Sequence, residues 1–489
     1  MTAASFFVPS PWILVALALV FAYTSSVTAV LALQNRSPQS TFAWVLLFVL
    51  CPPGGLLTYV MFGRGQYAFS RQRTMAKLLQ ESTLAERAAA VVAAQPRAIS
   101  ELARTQGDFA RLAAMLWASG RSPLTTGNRI EILQNASEKY PRLVGDMRAA
   151  TTSVHLVYYE WAADDFTDTV VDLLREKVRS GVPVRILYDP VGSYFMLNRQ
   201  YVRGLLRDGI RMQPFSSLYE LHTLSYRSHR KLAILDGRVG YSGGLNMTEK
   251  HLTGPKGFTG WRDTHARVTG GGVTILQAIF ATMWINATGE NLFEDYYFPR
   301  PEPSDGGVPI QVVSAGPDSR WETIRQAYLA MIALARDHVY LQSPFLILDT
   351  SVADAMSTAA LAGVDVRVMI APGGGELSPA YRAGMTYAAD MARTGVQVLL
   401  YHGAYFHSKT ICVDSRICSI GSANIDIRSF SINYETNLVV YDETVTRELE
   451  ADFMADLEQC VPFGADKYDA QKMSTRLVDS VMRLCSPLI

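Results

Sequence analysis

Residues 229–246 read HRKLAILDGRVGYSGGLN, and residues 407–424 read HSKTICVDSRICSIGSAN. Both stretches follow one pattern, HxKxxxxD, which is followed after six further residues by GxxN. Two matches to so long a pattern in one chain are far rarer by chance than a single match to a short motif. The chain therefore carries the same functional unit twice.

The spacing within each copy predicts a strand that presents a histidine and a lysine on one face. Side chains at positions i and i+2 of a strand point in the same direction. His229 and Lys231 are therefore expected to project together, and His407 and Lys409 repeat this arrangement in the second copy. Each pair is predicted to face one shared cleft.

The rest of each motif supplies further candidate catalytic and phosphate-binding residues. Asp236 and Asp414 complete the two motifs at the far end of the predicted strand, before a turn. The glycines that follow allow a ligand to approach the backbone. Asn246 and Asn424 add neutral donors, and Ser422 adds a hydroxyl in the second copy only. Two lysine charges and two amides suit a phosphodiester and its trigonal-bipyramidal transition state.

Two histidines in one centre predict a division of roles. One attacks phosphorus and forms a covalent phosphohistidine. The other protonates the leaving alcohol and then deprotonates the incoming one. Each imidazole needs an acceptor on its second nitrogen. Asp263 and Glu435 occupy equivalent positions before two similar strands, and we predict that they orient His229 and His407. The alternative is that both are surface carboxylates at strand edges.

The segments around the motifs repeat the same order of helices and strands. GVPVRIL at residues 181–187 matches GVDVRVM at residues 363–369. Strands that alternate with helices predict α/β layers, and a duplication predicts a pseudo-twofold pair with one shared site. The predicted fold is therefore α/β, with two α/β/α-type domains at residues 126–305 and 306–489. Segment 301–309 is the predicted joint.

The first 64 residues predict a transmembrane hairpin. No charged residue precedes Arg36, and the apolar run 12–33 is long enough to span a bilayer. A second charge-free stretch, residues 40–62, contains Pro-Pro-Gly-Gly and is interpreted as a kinked span or a re-entrant hairpin. A cleaved signal peptide is the alternative, but residues 1–10 lack the basic region that it requires.

The residues after the hairpin predict its orientation and a connection to the catalytic domains. Arg64, Arg71, Arg73 and Lys77 follow the second stretch, so the positive-inside rule places both ends and the catalytic part in the cytoplasm. Residues 65–125 are predicted to form a helical connector, because 76–117 are rich in helix-forming residues. A flexible linker is the alternative.

Composition narrows the classes of partner. Lys+Arg and Asp+Glu both number 45, so the basic excess typical of nucleic-acid-binding proteins is lacking. The five cysteines form no CxxC pair, which argues against a zinc site and a disulfide framework. Unpaired thiols are typical of a reducing compartment. We therefore predict no nucleic-acid partner, whereas a phospholipid substrate remains compatible with the charge balance.

These motifs resemble the phospholipase D superfamily over residues 126–489, and within it the bacterial cardiolipin synthases. The segments RSPQSTFAW, FGR, WRDTH, RSFSINYE and RLCSPLI carry the closer resemblance. It implies two phospholipase D-like domains in the bacterial inner (cell) membrane, condensation of two phosphatidylglycerols into cardiolipin, and release of glycerol without a metal or organic cofactor. It also implies that His229 is the nucleophile and His407 the acid/base, a choice that the nearly symmetric motifs leave open.

One residue, two segments and two other functions remain open. Ser422 stands where the first copy has Gly244, and we expect its hydroxyl near the phosphate. Residues 247–260 contain no close counterpart of the RSF sequence that follows Asn424 and form a longer segment, which is either a variable surface loop or a lid or headgroup loop. Residues 468–484 form an amphipathic surface helix or pack on the core. The competing functions are a phosphodiester hydrolase, such as a phospholipase D or tethered nuclease, and a non-catalytic scaffold for anionic lipid. The sequence indicates no oligomeric state.

Overall fold

The computed structural model describes residues 10–34, 38–59, 82–217, 225–301, 307–372 and 378–486. Contacts divide the chain into a small unit, residues 1–65 with 218–225, and a large unit, residues 66–217 with 226–489. Every candidate site residue belongs to the large unit.

The small unit contains the predicted membrane anchor, with helices α1 (Pro11–Ala32), α2 (Pro38–Leu50) and α3 (Pro52–Thr58). Among the described residues, α1 is the one helix long and apolar enough to cross a membrane. Helix α2 has 13 residues and so measures about 20 Å, less than the roughly 30 Å of a hydrocarbon core. Cys51 leaves the helical conformation, with φ −143° and ψ 74°, because Pro52 disfavours helical backbone at the preceding residue. The second apolar stretch is therefore broken, as its Pro-Pro-Gly-Gly sequence predicted.

Several predictions concern residues outside the described ranges. These are the basic residues that set the predicted orientation, Arg36, Arg64, Arg71, Arg73 and Lys77, and residues 302–306 of the predicted joint.

Two helices, α4 (Ala85–Gln106) and α5 (Phe109–Gly120), occupy most of the predicted connector. They are not a free linker, because Leu102 of α4 and Leu112 of α5 are buried in the core of the second copy. The flexible alternative is therefore wrong for residues 85–120.

The remaining elements of the large unit alternate between strands and helices. The strands are β1 (Leu124–Gln134), β2 (Val154–Tyr158), β3 (Val184–Tyr188), β4 (Arg211–Pro214), β5 (Leu232–Leu235), β6 (Val239–Gly243), β7 (Trp261–Arg262), β8 (Thr264–Thr269), β9 (Val308–Ala315), β10 (His338–Gln342), β11 (Leu346–Ile347), β12 (Asp365–Ile370), β13 (Gln397–Tyr401), β14 (Tyr405–Phe406), β15 (Thr410–Val413), β16 (Ile417–Gly421), β17 (Ile425–Asp426), β18 (Glu435–Val440) and β19 (Cys460–Pro462). The helices are α6 (Asn135–Ala149), α7 (Asp165–Arg179), α8 (Arg199–Arg207), α9 (Lys250–Thr253), α10 (Gly271–Thr288), α11 (Thr323–Leu334), α12 (Thr350–Leu361), α13 (Pro379–Arg393), α14 (Ile427–Ser431), α15 (Glu443–Leu457), α16 (Ala465–Asp469) and α17 (Met473–Leu484), with a 3₁₀ turn at Asp295–Tyr297.

The two copies form one 15-stranded sheet. Strands β1 and β9 pair antiparallel at its centre. Outward from β1 the order is β8-β6-β5-β2-β3-β4, and outward from β9 it is β18-β16-β15-β10-β12-β13, with β19 at the edge. Each strand of the first copy thus has a counterpart equally far from the centre. This confirms the predicted duplicated α/β fold.

Helices cover both faces of the sheet, and the motif strands are buried between them. In β5, Leu232 and Ile234 belong to the cluster that includes α10 and α15, whereas Ala233 and Leu235 belong to the cluster beside α6 and α7. A strand buried on both faces requires a continuous apolar run rather than alternation. This explains why each motif continues as four apolar or small residues after its lysine.

The C-terminal helix α17 combines the two predicted alternatives. Its Asp479 is buried and accepts a hydrogen bond from Arg382 of α13 at 3.0 Å. Its opposite side leaves Met473, Leu477 and Leu484 exposed. The helix therefore packs on the catalytic part and also presents an apolar surface.

Candidate active site

The backbone before each motif strand forms a hydrogen bond with the backbone of the other copy. The N–H of His229 donates to the carbonyl of Tyr434 at 3.0 Å, and the N–H of His407 donates to the carbonyl of Arg262 at 2.8 Å. Each accepting residue immediately precedes one of the two predicted orienting carboxylates. The histidine segments thus run along the seam between the copies, which brings both imidazoles to one centre.

The carboxylates pair crosswise with the histidines. Nδ1 of His229 lies 3.0 and 3.1 Å from the two carboxylate oxygens of Glu435, and Nδ1 of His407 lies 2.7 Å from Oδ2 of Asp263. Asp263 and Glu435 are both fully buried, so the alternative of surface carboxylates is wrong. A carboxylate at Nδ1 favours a proton on that nitrogen and leaves the lone pair on Nε2. Each copy therefore supplies the acceptor for the other copy's histidine.

Burial and neighbouring charges set the ionisation of this centre. Burial lowers the pKa of His407 well below its ordinary value, and the charges of Lys409 and Lys231 act in the same direction. Burial alone would raise the pKa of Glu435, but His229, the charge of Lys231 and the hydrogen bond from Ser422 together outweigh it and hold this pKa below its ordinary value. Glu435 is thus an anion at neutral pH.

The two motif lysines are buried beside the histidines. Nζ of Lys231 donates to the carbonyl of His229, and Nζ of Lys409 to that of His407, both at 2.6 Å. Burial lowers the pKa of Lys231 to about 7, with Lys409 lowering it further and Glu435 opposing. Burial likewise lowers the pKa of Lys409 to about 8. An anion between the lysines would restore both charges, because an opposite charge favours the protonated form.

The asparagines of the two motifs are buried in different settings. Oδ1 of Asn246 accepts the N–H of Glu160 at 3.1 Å. Nδ2 of Asn424 donates to Asp426 at 3.0 Å, and its Oδ1 is buried with no partner in the part of the chain that the structure describes. Both remain candidate phosphate ligands, although their amides are partly engaged.

Ser422 acts on a carboxylate. Its hydroxyl donates to Glu435 and accepts the N–H of Thr436, which corrects the expectation that it faces the phosphate. The equivalent position in the first copy is Gly244, where a Cβ would collide with the carboxylate of Asp263. The difference between glycine and serine at this position therefore follows from the carboxylate that lies next to it in each copy.

The motif aspartates lie at the opposite end of the strand. Asp236 accepts backbone N–H groups of residues 151, 152 and 153 at 2.7–2.9 Å, and Asp414 those of residues 336, 337 and 338 at 2.8–2.9 Å. Asp236 follows Lys231 by five positions along the strand, which corresponds to about 16 Å. Grouping these aspartates with the catalytic residues is therefore corrected: they hold the loops that lead into β2 and β10.

Aromatic residues that the sequence analysis did not single out surround both histidines. The ring of Tyr159 lies 5.1 Å from that of His229, and the ring of Trp261 lies 5.0 Å from that of His407. His251 stacks on Trp261 at 4.0 Å. This histidine belongs to segment 247–260, so that segment is more than a variable surface loop. The sequence could have indicated Trp261 as a residue of the site, because it lies two residues before Asp263.

Comparisons with known proteins indicate the family. Residues 143–256 and 328–457 match the family model "Cardiolipin synthase, PLD-like domain", and residues 12–64 match "Phospholipase_D-nuclease N-terminal". The cardiolipin synthase of Geobacillus sp. (strain WCH70) is 34% identical over 94% of this chain and 91% of its own length. That of Listeria monocytogenes serotype 4b (strain CLIP80459) is 34% identical over 98% and 99%.

A solved structure shares the fold. The phosphatidylserine synthase of Haemophilus influenzae Rd KW20 superposes with a TM-score of 0.60 at 12% identity, covering 77% of this chain and 99% of that one. At this identity the likeness concerns the fold alone.

Proposed function

The chain belongs to the cardiolipin synthases of the phospholipase D superfamily, and from this membership we propose that it joins two phosphatidylglycerols into cardiolipin and releases glycerol. The observation that carries the proposal is the crosswise pairing of His229 with Glu435 and of His407 with Asp263. Two oriented imidazoles beside two buried ammonium groups suit a two-step transfer at phosphorus.

In the first step His229 is the nucleophile. Its Nε2 lone pair attacks phosphorus while the Nδ1 proton remains on the side of Glu435. The bond between phosphorus and the glycerol oxygen breaks, and protonated His407 gives its Nε2 proton to that oxygen. Glycerol leaves, and the phosphatidyl group is bound covalently to His229.

In the second step the acceptor is the glycerol hydroxyl of another phosphatidylglycerol. Neutral His407 removes the hydroxyl proton, and the oxygen attacks phosphorus from the side that the first glycerol left. The bond between phosphorus and Nε2 of His229 breaks, which releases cardiolipin and restores the resting enzyme. Water in place of this hydroxyl would give phosphatidic acid.

The lysines and asparagines stabilise charge during both steps. Lys231 and Lys409 are buried donors with lowered pKa values. A bound phosphodiester anion raises these pKa values, so both side chains become fully protonated when the substrate is present. The anion also favours protonation of His407, whose pKa is low in the free site. Asn246 and Asn424 bind oxygens of the trigonal-bipyramidal phosphorus without adding charge.

Membrane association agrees with the family and with the apolar helix α1. We further propose a multi-pass anchor with the catalytic part in the cytoplasm, supported by the second charge-free stretch and the basic residues after it. An enzyme held at the surface meets a lipid substrate at high effective concentration. The domain boundaries 1–64, 65–125, 126–305 and 306–489 belong to the same proposal.

The test incubates the purified full chain with phosphatidylglycerol in mixed micelles. Equimolar cardiolipin and glycerol support the proposal, and His229→Ala and His407→Ala should each remove turnover. The matched control is His402→Ala, because the His402 side chain is exposed and the hydrogen bond of this residue to Gln459 is made by its backbone. Phosphatidic acid as the sole lipid product would indicate a hydrolase, and absence of turnover would indicate a scaffold.

A further inference from the structure

Lys250 is a cation near His407 that the transfer steps do not use. Each copy carries a cation on the short helix after its motif asparagine, Lys250 on α9 and Arg428 on α14. Nζ of Lys250 lies 5.5 Å from the ring centroid of Trp261, and that ring lies 5.0 Å from the ring of His407. Burial lowers the pKa of His407, and the charge of Lys250 acts in the same direction as those of the motif lysines. The Lys250 ammonium is therefore close enough to act on a molecule bound at His407.

The Lys250 ammonium has donors to spare. Nζ donates to Oε2 of Glu160 at 2.9 Å, which is the one side-chain hydrogen bond of Lys250 among the residues that the structure describes. An ammonium group carries three N–H donors. The side chains of Lys250 and Glu160 are 35% and 19% exposed, so solvent reaches this ion pair. Two donors of Lys250 are thus available to a ligand.

Glu160 places the ion pair at the border of the catalytic centre. Its backbone N–H donates to Oδ1 of Asn246 at 3.1 Å, and it follows Tyr159, whose ring lies 5.1 Å from that of His229. Burial lowers the pKa values of both motif lysines, and the charge of Glu160 opposes that effect in each of them. The Lys250–Glu160 pair therefore lies within electrostatic range of both motif lysines and of His407.

The acceptor alcohol of the second step differs in charge from its competitors. It is the headgroup of a second phosphatidylglycerol, so it carries a phosphodiester anion of its own, whereas water and free glycerol are neutral. Six bonds through glycerol separate the two phosphorus atoms of cardiolipin, about 7 Å when extended. This span is of the same size as the distances that connect Lys250 with His407 through Trp261. A cation there would distinguish a lipid acceptor from water.

We propose that Nζ of Lys250 binds the phosphate of the acceptor phosphatidylglycerol and thereby favours transfer over hydrolysis. This inference rests on the proposed function and assigns a specificity-determining residue to it. The motif lysines bind the phosphate that reacts, and Lys250 binds the phosphate that does not. Glu160 holds the ammonium beside Trp261 before the acceptor arrives, and the two remaining N–H groups then donate to the phosphate oxygens.

The test lets two acceptors compete for one phosphohistidine. The full chain is incubated in mixed micelles with phosphatidylglycerol and labelled glycerol, and initial rates of cardiolipin and of labelled phosphatidylglycerol are measured. Both products arise from the same covalent intermediate, so their ratio reports the choice of acceptor and not the rate of the first step.

Four variants separate binding of phosphate from other effects of the charge. In Lys250→Met the ratio of cardiolipin to labelled phosphatidylglycerol should fall about tenfold, the lower end for a hydrogen bond to a charged group because the side chain is partly exposed. Lys250→Arg keeps the charge and should stay close to wild type. The double variant Glu160→Gln/Lys250→Met removes both charges and should remain low. Lys256→Met changes an exposed lysine of the same segment and should leave the ratio unchanged.

Two results would overturn the inference. An unchanged ratio in Lys250→Met would mean that Lys250 does not bind the acceptor. A ratio that recovers in the double variant would mean that Lys250 only neutralises Glu160.

A binding measurement separates this inference from the transfer reaction. Calorimetry follows short-chain cardiolipin and short-chain phosphatidylglycerol on the inactive His229→Ala protein and on the same protein with Lys250→Met added. Weaker binding of cardiolipin alone, whose second phosphate needs Lys250, supports the site even if no cardiolipin is synthesised. Equal weakening of both lipids, or of neither, argues against it.

Discussion

Glu435→Gln tests the pairing of each histidine with the other copy's carboxylate. Glu435 accepts from the Ser422 hydroxyl as well as from Nδ1 of His229. The oxygen of that hydroxyl already accepts the N–H of Thr436 at 3.0 Å, so its proton needs an acceptor in the glutamine. The amide oxygen therefore turns to Ser422, and the NH₂ group faces His229. The NH₂ group favours the tautomer with its proton on Nε2, the atom that attacks phosphorus, whereas the carbonyl of Ser422, 3.0 Å from Nδ1, still favours the proton on Nδ1.

The size of the effect follows from the lost hydrogen bond and the altered tautomer. A hydrogen bond to a charged group contributes about 1.5–3 kcal/mol, which corresponds to roughly 10-fold to 150-fold in rate. The wrong histidine tautomer costs about 10⁴-fold in a serine protease triad. We expect formation of the phosphohistidine to slow by about 10²-fold to 10⁴-fold in Glu435→Gln.

The assay uses a phosphatidyl ester of p-nitrophenol, whose leaving group departs without a proton. Wild type should give a burst of nitrophenolate as His229 is phosphorylated. Glu435→Gln should lose the burst. Asp263→Asn, which affects His407, should retain the burst and accumulate labelled protein, because the second step lacks its base. Glu458→Gln changes an exposed glutamate and serves as the control.

Two results would refute this reasoning. A full burst in Glu435→Gln would mean that this carboxylate does not orient the nucleophile. A burst lost in Asp263→Asn but kept in Glu435→Gln would mean that His407 is the nucleophile and that the two roles are reversed.

Three further predictions concern the lysines, a glycine and a motif aspartate. Burial lowers the pKa of Lys231 to about 7 and of Lys409 to about 8. We therefore expect kcat/KM to fall at least about tenfold from pH 7 to pH 9, because the free site loses positive charge. A flat pH profile would contradict this expectation. Gly244→Ala should lower turnover at least about 100-fold, like Asp263→Asn, because the new Cβ displaces the carboxylate of Asp263. Wild-type turnover in this variant would contradict the prediction. The control is Gly145→Ala, which places its Cβ in open space on α6 and should be tolerated. Asp236→Ala should lower the free energy of unfolding by about 3 kcal/mol in denaturant titration, because three backbone donors lose their acceptor; a loss of kcat without loss of stability would restore Asp236 to the catalytic set.

The motifs predicted the duplicated α/β layers and the identity of the reacting side chains, because both are encoded in local spacing. Contacts between the copies are not local. Glu435 meets a histidine 206 positions away, and no pattern within either copy indicates that the partner belongs to the other. Ser422 was identified as an asymmetry, but its direction depends on the carboxylate behind it. His251 was missed because the position equally far after the motif asparagine in the second copy is Ser429, so the repeat does not single it out.

The crosswise pairing makes alignment of the halves a condition for any chemistry. Displacing one half along the seam by a single residue would separate both imidazoles from their carboxylates at once, so no half-competent state with only a nucleophile or only an acid is available. An isolated repeat, however well folded, would hold a carboxylate and a histidine that do not serve each other, and it could complete its pairs only by associating with a second copy. Deleting either repeat from the chain therefore removes one half of each working pair.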